Sequence, residues 1–298
     1  MKLRTACNDV FCVKLIVKAL ALALMPVAMF AAAGEKRQEK TFDSTRQPRI
    51  SLTNLKGQIL VRGWEKAQIH VVYSLASPLQ EVDSEILPDS GPAEKVHFSI
   101  HELDLASAAD HPAIDYTLDV PVGSRLEIRN PQGKVRVEGI QGDASIESVG
   151  GDILVSDYAG HLSVRSVGGN IEVRHPSGHV EASSITGNLH FVAPSTTKLR
   201  GTTTSGHILF EGDFMDRGDY MLSAYSGDVE VVCPPSASYE LRAKTVKGKV
   251  INTLSMTHRH RSASPQSSAN SLLGTHNTGK ATVELTSFSG TIRIGPQE

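Results

Sequence analysis

The sequence is poor in cysteine, in aromatic residues and in net charge. Of its 298 residues, three are cysteine, one is tryptophan and 5% are aromatic, and the formal net charge is −2. Cys7 and Cys12 lie in the first 33 residues, so Cys233 is left without an intramolecular disulfide partner and is interpreted as a small buried hydrophobe. The low net charge excludes the basic face that nucleic-acid binding requires.

The common catalytic motifs are also absent from the sequence. It contains no nucleophile elbow, no phosphate-binding Walker loop, no dinucleotide-binding glycine fingerprint and no zinc-protease motif. We therefore predict that the protein is not an enzyme. We also expect no catalytic residue, no cofactor and no metal site.

Residues 1–33 have the composition of a signal peptide. A basic start is followed by the uncharged stretch 19–33, which ends in three alanines and is too short to span a membrane comfortably. We expect cleavage near Ala33, export without lipidation, and no membrane span afterwards. The remaining chain has 26 basic and 31 acidic residues, net −5, and is expected in the periplasm, at the cell surface or secreted.

A repeat of nine residues dominates the centre of the chain. The glycines that mark it are Gly133, Gly142, Gly151, Gly160, Gly169, Gly178 and Gly187. Apolar residues, many of them β-branched, stand two and four positions after each glycine, and this alternation is typical of β-strands. The turns alternate in composition, so the true repeat is a pair of nine-residue units and contains two strands.

An all-β fold follows from this pattern, with two possible architectures. A β-solenoid with coils of about 18 residues is favoured by the strict alternation and by the small inward residues. The alternative is an antiparallel β-sandwich or meander. In either case Ile153, Val155, Ile171 and Val173 are predicted to point inward, with Leu154 and Glu172 outward.

The chain is divided on the same grounds into a signal peptide and two β regions. Residues 41–125 are predicted to form an N-terminal β region with an acidic surface loop at 76–94. Residues 126–298 are predicted to form the solenoid, interrupted by a mobile loop, Ser255–Thr278. Trp64 and the segment Asn54–Gly63 are expected to cap one end of the core, with Ser287–Ile294 near the other.

Stacking of successive repeats also brings polar residues into columns. Asp143, His161 and His179 form one column, in which two imidazoles at this spacing are a conceivable but disfavoured metal site. Asp152, Asn170 and Asn188 form another, interpreted as a structural ladder of hydrogen-bonded amides. His258-Arg259-His260-Arg261 is interpreted as a solvated loop rather than an anion site.

Three segments resemble a bacterial family of β-strand-repeat domains of unknown function, known as putative adhesins. They are Asn54–Trp64, Tyr116–Pro121 and Ala281–Ile294, and the resemblance extends roughly from Thr41 to Ile294. It implies an envelope location and a β-solenoid-like fold, and it provides no catalytic residues. The acidic insertion and the Ser255–Thr278 segment depart from the family pattern.

Three functions remain open at this point. The favoured hypothesis is a non-catalytic envelope or surface module that binds or scaffolds through its long sides, with an envelope polysaccharide or another envelope protein as partner. The second is a carbohydrate-active enzyme on a β-helix, which would need clustered carboxylates. The third is a subunit for envelope-stress sensing or assembly, working through an unpaired end strand.

Overall fold

The computed structural model describes residues 36–75, 80–102, 113–257 and 267–297. The predicted signal peptide lies outside these residues. The described chain consists of strands and turns. Within it, no helix is long and apolar enough to cross a membrane.

Two sheets contain all of the described strands, and β1 (Lys36–Thr53) passes from sheet A into sheet B. The other strands of sheet A are β2 (Ile59–Trp64), β3 (Gln68–Leu75), β6 (Ile114–Pro121), β8 (Val135–Glu138), β10 (Ile153–Ser156), β12 (Ile171–Arg174), β14 (Leu189–Val192), β16 (Ile208–Glu211), β18 (Val229–Cys233), β20 (Val250–Asn252) and β24 (Ile292–Pro296). Those of sheet B are β4 (Gln80–Leu87), β5 (Ala93–Glu102), β7 (Arg125–Asn130), β9 (Ala144–Ser148), β11 (Ala159–Ser166), β13 (Ser177–Ser184), β15 (Ser195–Thr203), β17 (Asp219–Ala224), β19 (Tyr239–Thr245), β21 (Ser267–Ser268), β22 (Ser271–His276) and β23 (Ala281–Ser287).

The repeat region is a solenoid of parallel strands. In sheet A, Ile153 pairs with Val135 on one side and with Ile171 on the other, each one full repeat away in sequence. Sheet B is built in the same way, with β9, β11 and β13 in parallel register. The solenoid prediction is therefore confirmed, and the antiparallel alternative is wrong, because successive coils pair strands of the same direction.

The core lies between the two sheets. Ile153, Val155, Ile171 and Val173 are at most 1% exposed, while Leu154 and Glu172 are half-buried on the outer face, as the alternation predicts. Towards the C-terminal coils the core residues become larger: they include Phe210, Phe214, Tyr220 and Tyr239. Cys233 is fully buried among them, which confirms its interpretation as a core residue.

One corner of each coil is formed by a tight turn that hydrogen bonds to its own serine. The Ser148, Ser166 and Ser184 hydroxyls each accept a hydrogen bond from the glycine N–H three residues later. A β-carbon on Gly169 would stand 2.0 Å from the carbonyl oxygen of Gly151, one coil away. The nine-residue glycine spacing thus reflects backbones that approach too closely for any side chain.

The solenoid begins before the predicted boundary at residue 125. Ile50 of β1 pairs with Leu126 of β7, and Ile59 of β2 pairs with Val135 of β8, both in parallel. The strands of β1 and β2 therefore form a coil of the same stack. The division into residues 41–125 and 126–298 does not correspond to a break in the core.

The end of the stack beyond β1 and β2 is covered by the strands β3, β4, β5 and β6. Strand β6 pairs with β2, and β5 pairs with β1, each on the side away from the repeats. Strands β3 and β4 extend the two sheets further in antiparallel pairing. The predicted cap of Trp64 and Asn54–Gly63 is therefore wrong, because another coil covers that segment.

Much of the predicted acidic loop, residues 76–94, is also a strand. Strand β4 forms an antiparallel ladder with β5, with Val82 buried and Glu81, Asp83 and Glu85 exposed on alternate positions. A loop prediction based on acidic composition overlooked this alternation. Acidic side chains on an edge strand discourage pairing with other chains.

At the C-terminal end the coils are stacked out of sequence order. Strand β24 lies between β18 and β20, and β23 lies between β17 and β19. The last two strands of the chain thus enter a gap left by earlier ones. At the other end the stacking order also departs from the sequence order, because β5 and β6 lie outside β1 and β2.

The prediction of a mobile loop at Ser255–Thr278 is wrong for its second half. Residues 271–276 form β22, which pairs antiparallel with β19, and His276 at its end is only 5% exposed. Residues 258–266, which include the His258–Arg261 run, lie outside the described residues. Polar composition suggested a loop, but β22 is a short strand that pairs with β19 on one side and with β21 and Thr257 on the other.

Candidate functional site

The most distinctive polar arrangement is a column on the outer face of sheet B. We call it the polar column, and its members are Arg49, Arg125, Asp143, His161, His179 and Lys198. The register pairs Arg49 with Arg125, His161 with His179, and His179 with Lys198. Asp143 precedes Ala144, which pairs with both Leu126 and Leu162, so its place is between Arg125 and His161.

All six side chains of the polar column are exposed, and its first half borders a groove. The groove has a volume of about 350 Å³, and its lining includes Arg49, Arg125, Glu127, Asp143 and His161. The rings of His161 and His179 are 6.2 Å apart. This distance follows from the spacing of neighbouring parallel strands.

The two arginines give this end of the column a positive charge. They lie side by side, and no carboxylate among the described residues forms an ion pair with Arg49 or Arg125. Two guanidinium groups one strand apart repel each other, and a bound anion would relieve that repulsion.

Tyr158 fixes the turns that carry Asp143 and His161. Its buried hydroxyl donates to the Gly142 carbonyl and lies 3.2 Å from the His161 carbonyl. Burial, and to a lesser degree the Asp143 carboxylate, raises the pKa of the Tyr158 phenol, so it remains a donor. Tyr158 thus holds the backbone on both sides of the groove.

Asp143 and His161 are neighbours in the polar column but are not in contact. Within the described ranges, no hydrogen bond or ion pair joins Asp143 to His161, and no three His, Cys, Asp or Glu side chains converge as metal ligands. General acid–base and metal-dependent mechanisms need such contacts. Cys233 is no better as a nucleophile, since burial raises the pKa of its thiol to about 11.

The second predicted column is structural. The Asp152 carboxylate accepts hydrogen bonds from the backbone and side-chain N–H groups of Asn170, and the Asn170 side-chain oxygen accepts one from Asn188 N–H. The Asn188 side-chain oxygen continues the series to the N–H of His207 at 2.8 Å. The interpretation of these residues as a hydrogen-bonded ladder is confirmed.

Trp64 is neither a core cap nor an isolated exposed ring. Its indole N–H donates to the Gln68 carbonyl at 2.7 Å, and its ring stacks on His70 at 6.2 Å between centroids. The Lys66 ammonium group lies over the Trp64 ring, 4.6 Å from the ring centroid. These contacts tie the β2–β3 turn together.

Sequence reasoning missed Arg49, Arg125 and Tyr158. Arg125 lies one full repeat before Asp143 and was accessible by one more step of the same period. Arg49 could not be found in this way, because residues 65–124 interrupt the sequence repeat before β7. Tyr158 carried no signal in the sequence beyond its position in a turn.

The comparison with known protein families agrees with the fold class. Residues 192–295 match the family model Toastrack DUF4097, which covers the coils from the end of β14 to β24. No curated protein matches the sequence.

Solved structures with a similar outline share little sequence with this chain. A putative cell adhesion protein from Clostridium sporogenes is 11% identical, with a TM-score of 0.29, and covers 89% of this chain and 100% of its own. A putative lipid binding protein from Parabacteroides distasonis is 10% identical, with a TM-score of 0.43, and covers 87% and 97%. A putative adhesin from Parabacteroides merdae is 9% identical, with a TM-score of 0.36, and covers 89% and 97%.

The matched residues include the coils that are stacked out of sequence order, the closely packed glycines of the turns and the parallel strand pairing. They form the C-terminal part of the solenoid whose repeats resemble the putative adhesins. Residues 192–295 are thus similar to the Toastrack DUF4097 family, and the chain that contains them is a β-solenoid.

Proposed function

We propose that the protein is a non-catalytic binding module of the bacterial cell envelope, with the polar column as its contact surface. Its ligand class is an acidic envelope polysaccharide. The observation that carries the proposal is the pair Arg49 and Arg125, which face solvent beside the groove and form no ion pair with any carboxylate of the described residues.

The shape of the surface supports a polymer rather than a small molecule. The column runs across neighbouring strands at about 4.8 Å per step, so its six members extend over roughly 24 Å. That length is comparable to several sugar units, and the groove lies along its first half. The donors are cationic or ionisable side chains, which suit carboxylate and hydroxyl groups.

Binding to a uronic-acid polymer tests this proposal. We expect the purified protein to bind alginate and not neutral dextran in a titration followed by calorimetry, with affinity falling as salt is raised. The double variant Arg49→Gln/Arg125→Gln should bind alginate at least tenfold more weakly. The matched control, Arg136→Gln/Arg174→Gln, removes two arginines from the outer face of sheet A and should bind as the wild type does.

Two results would overturn the proposal. Equal alginate affinity of both double variants would remove the polar column from the binding surface. Release of reducing ends from alginate or peptidoglycan, abolished by Asp143→Ala or His161→Ala, would instead identify an enzyme.

A further inference from the structure

A row of exposed apolar side chains runs along one corner of the solenoid. We call it the apolar ridge: Leu55, Val149, Val167, Ile185, Tyr225 and Val246, with exposed fractions of 38, 52, 43, 51, 56 and 55%. Each occupies the same position of its turn, directly after a buried residue at the end of a sheet B strand. Phe288 belongs to the row as well, stacked on Tyr225 with 4.8 Å between ring centroids.

Hydrogen bonds from turn to turn hold the ridge in line. The Val149 carbonyl accepts from Gly168 N–H at 2.7 Å, and the Val167 carbonyl accepts from Thr186 N–H at 2.8 Å. Similar bonds link Ile185 to Ser205 and Tyr225 to Ser289. At about 4.8 Å per coil, the nine turns of the stack make the ridge roughly 40 Å long.

The turn itself does not require apolar residues at this position. Thr204 occupies the equivalent place in one coil and is exposed. Exposed apolar rows of this length are unusual on a protein surface and mark contact sites. The residue type therefore points to a partner.

Basic side chains flank the apolar ridge. Lys134 and Arg165 stand beside its first half, and Lys244, Lys247 and Lys249 beside its last turns, all exposed. Lys247 lies over the Phe288 ring at 5.2 Å.

The acids near the ridge are largely engaged elsewhere. Glu147 forms an ion pair with Arg129 at 3.4 Å, and Asp228 forms one with Arg293 at 2.8 Å. Asp152 is engaged by Asn170 in the amide ladder. In a chain with more acidic than basic residues, this corner therefore carries a local positive excess.

We propose that the apolar ridge docks on the surface of an anionic phospholipid bilayer. Apolar tips would enter the boundary between headgroups and acyl chains while the flanking lysines meet lipid phosphates. Because the ridge is long, with Thr204 interrupting its apolar residues, a flat surface fits it better than a globular partner, which would need a groove of matching length. Tyr225 is a residue type that favours such interfaces.

A second copy of the chain is a poorer occupant. If two ridges packed in parallel, each lysine would face its own equivalent. In the antiparallel arrangement, Lys134 and Arg165 would face the Lys244–Lys249 cluster. Both arrangements bring like charges together, which opposes association.

Vesicle co-sedimentation tests the proposal. The protein should lack residues 1–33, so that the apolar N-terminal stretch cannot insert; the chain from Glu35 on forms a compact unit of its own. The anionic vesicles contain two parts of phosphatidylcholine to one part of phosphatidylglycerol, and we expect at least tenfold stronger partitioning onto them than onto phosphatidylcholine alone. The variant Val149→Ser/Val167→Ser/Ile185→Ser should lose this partitioning at least tenfold, and Lys244→Gln/Lys247→Gln/Lys249→Gln should lose the preference for the anionic lipid.

A matched control removes the same amount of exposed apolar surface elsewhere. The variant Met215→Ser/Ile251→Ser/Leu273→Ser changes three residues that are 44, 46 and 50% exposed outside the ridge, and it should partition as the wild type does. Circular dichroism melting of all variants verifies that they fold. Absence of wild-type binding, or equal loss in the ridge and control variants, would overturn the proposal.

Oligomeric state provides the remaining outcome. A concentration-dependent dimer in analytical ultracentrifugation that the ridge variant abolishes would assign the ridge to self-association and contradict the lipid proposal. The inference goes beyond the polysaccharide function and uses a different corner of the molecule, so either can fail alone.

Discussion

Gly290 lies directly against Gly227, although the strands β18 to β23 lie between these two residues in the sequence. A β-carbon at Gly290 would stand 1.9 Å from the Gly227 carbonyl oxygen, and one at Gly248 would stand 1.9 Å from that of Gly290. The glycine ladder therefore records the spatial order of the coils rather than their order in sequence. A substitution at Gly290 therefore tests whether β24 lies between β18 and β20.

We expect Gly290→Ala to destabilise the protein strongly. The added methyl group meets the backbone of Gly227 and Asp228, which cannot rotate away, so the loss is about 3 kcal/mol in free energy of unfolding. Urea denaturation measures it. The control Gly168→Ala, whose new methyl group would be 3.5 Å from its nearest neighbour, should cost much less. Similar midpoints for both variants would contradict the inserted position of β24.

The inward register of β10 is tested by a buried charge. Val155 is fully buried, so Val155→Asp leaves an unpaired carboxylate in the core and should cost more than about 3 kcal/mol. Glu172→Ala, on the outer face of the next strand, should cost less than about 1 kcal/mol. Thermal unfolding compares the two, and equal melting temperatures would show that the register is wrong.

Stability should depend on pH through His70. A hydrogen bond to Glu39, followed by one to Asp119, raises the pKa of His70 above its usual value of 6.5. The stabilisation is therefore complete below the unfolded-state pKa and is lost as the pH rises through the folded one. We expect the difference in melting temperature between wild type and His70→Gln to be largest near pH 5.5 and to shrink by about pH 8.

An NMR titration of His70 provides the direct measurement. The variant Glu39→Gln removes the largest cause of the shift and should lower the pKa of His70 towards 6.5. A difference in melting temperature that grows with pH would contradict the assignment.

His276 should anchor the segment that follows β20. Its Nδ1 lies 2.7 Å from the Ser255 carbonyl oxygen and its Nε2 lies 3.1 Å from that of Pro235, with the ring packed on Tyr239 at 5.3 Å. Replacing it with alanine loses these bonds and leaves a cavity, at a cost of about 2 kcal/mol.

Limited proteolysis checks the same segment. We expect His276→Ala to accelerate cleavage near β22, whereas Leu273→Ala, at a half-exposed position of the same strand, should not. If replacing residues 255–278 by a short turn leaves stability unchanged, the packing role of β22 is wrong.

The repeat could be predicted from the sequence because its strands and turns depend on residues that are close together in the chain. Glycines at nine-residue intervals mark the turns, and the alternation of Ile153 and Val155 with Leu154 marks a strand and shows which of its side chains point inward. None of this depends on residues distant in the sequence. The Asp152–Asn170–Asn188 ladder followed from the same period. The acidic and polar insertions were misread because β4 and β22 are short, mostly polar strands, in which composition conceals the alternation.

The coil order at both ends was decided only by the tertiary structure. Every coil presents a similar strand edge, so nothing in the residues of β24 indicates that it lies between β18 and β20 rather than beyond β20. The same holds for Arg49, which joins Arg125 only because residues 65–124 fold to the outside of the stack. The sequence thus determined the fold of each coil, whereas long-range pairing decided which coils, and which charged side chains, became neighbours.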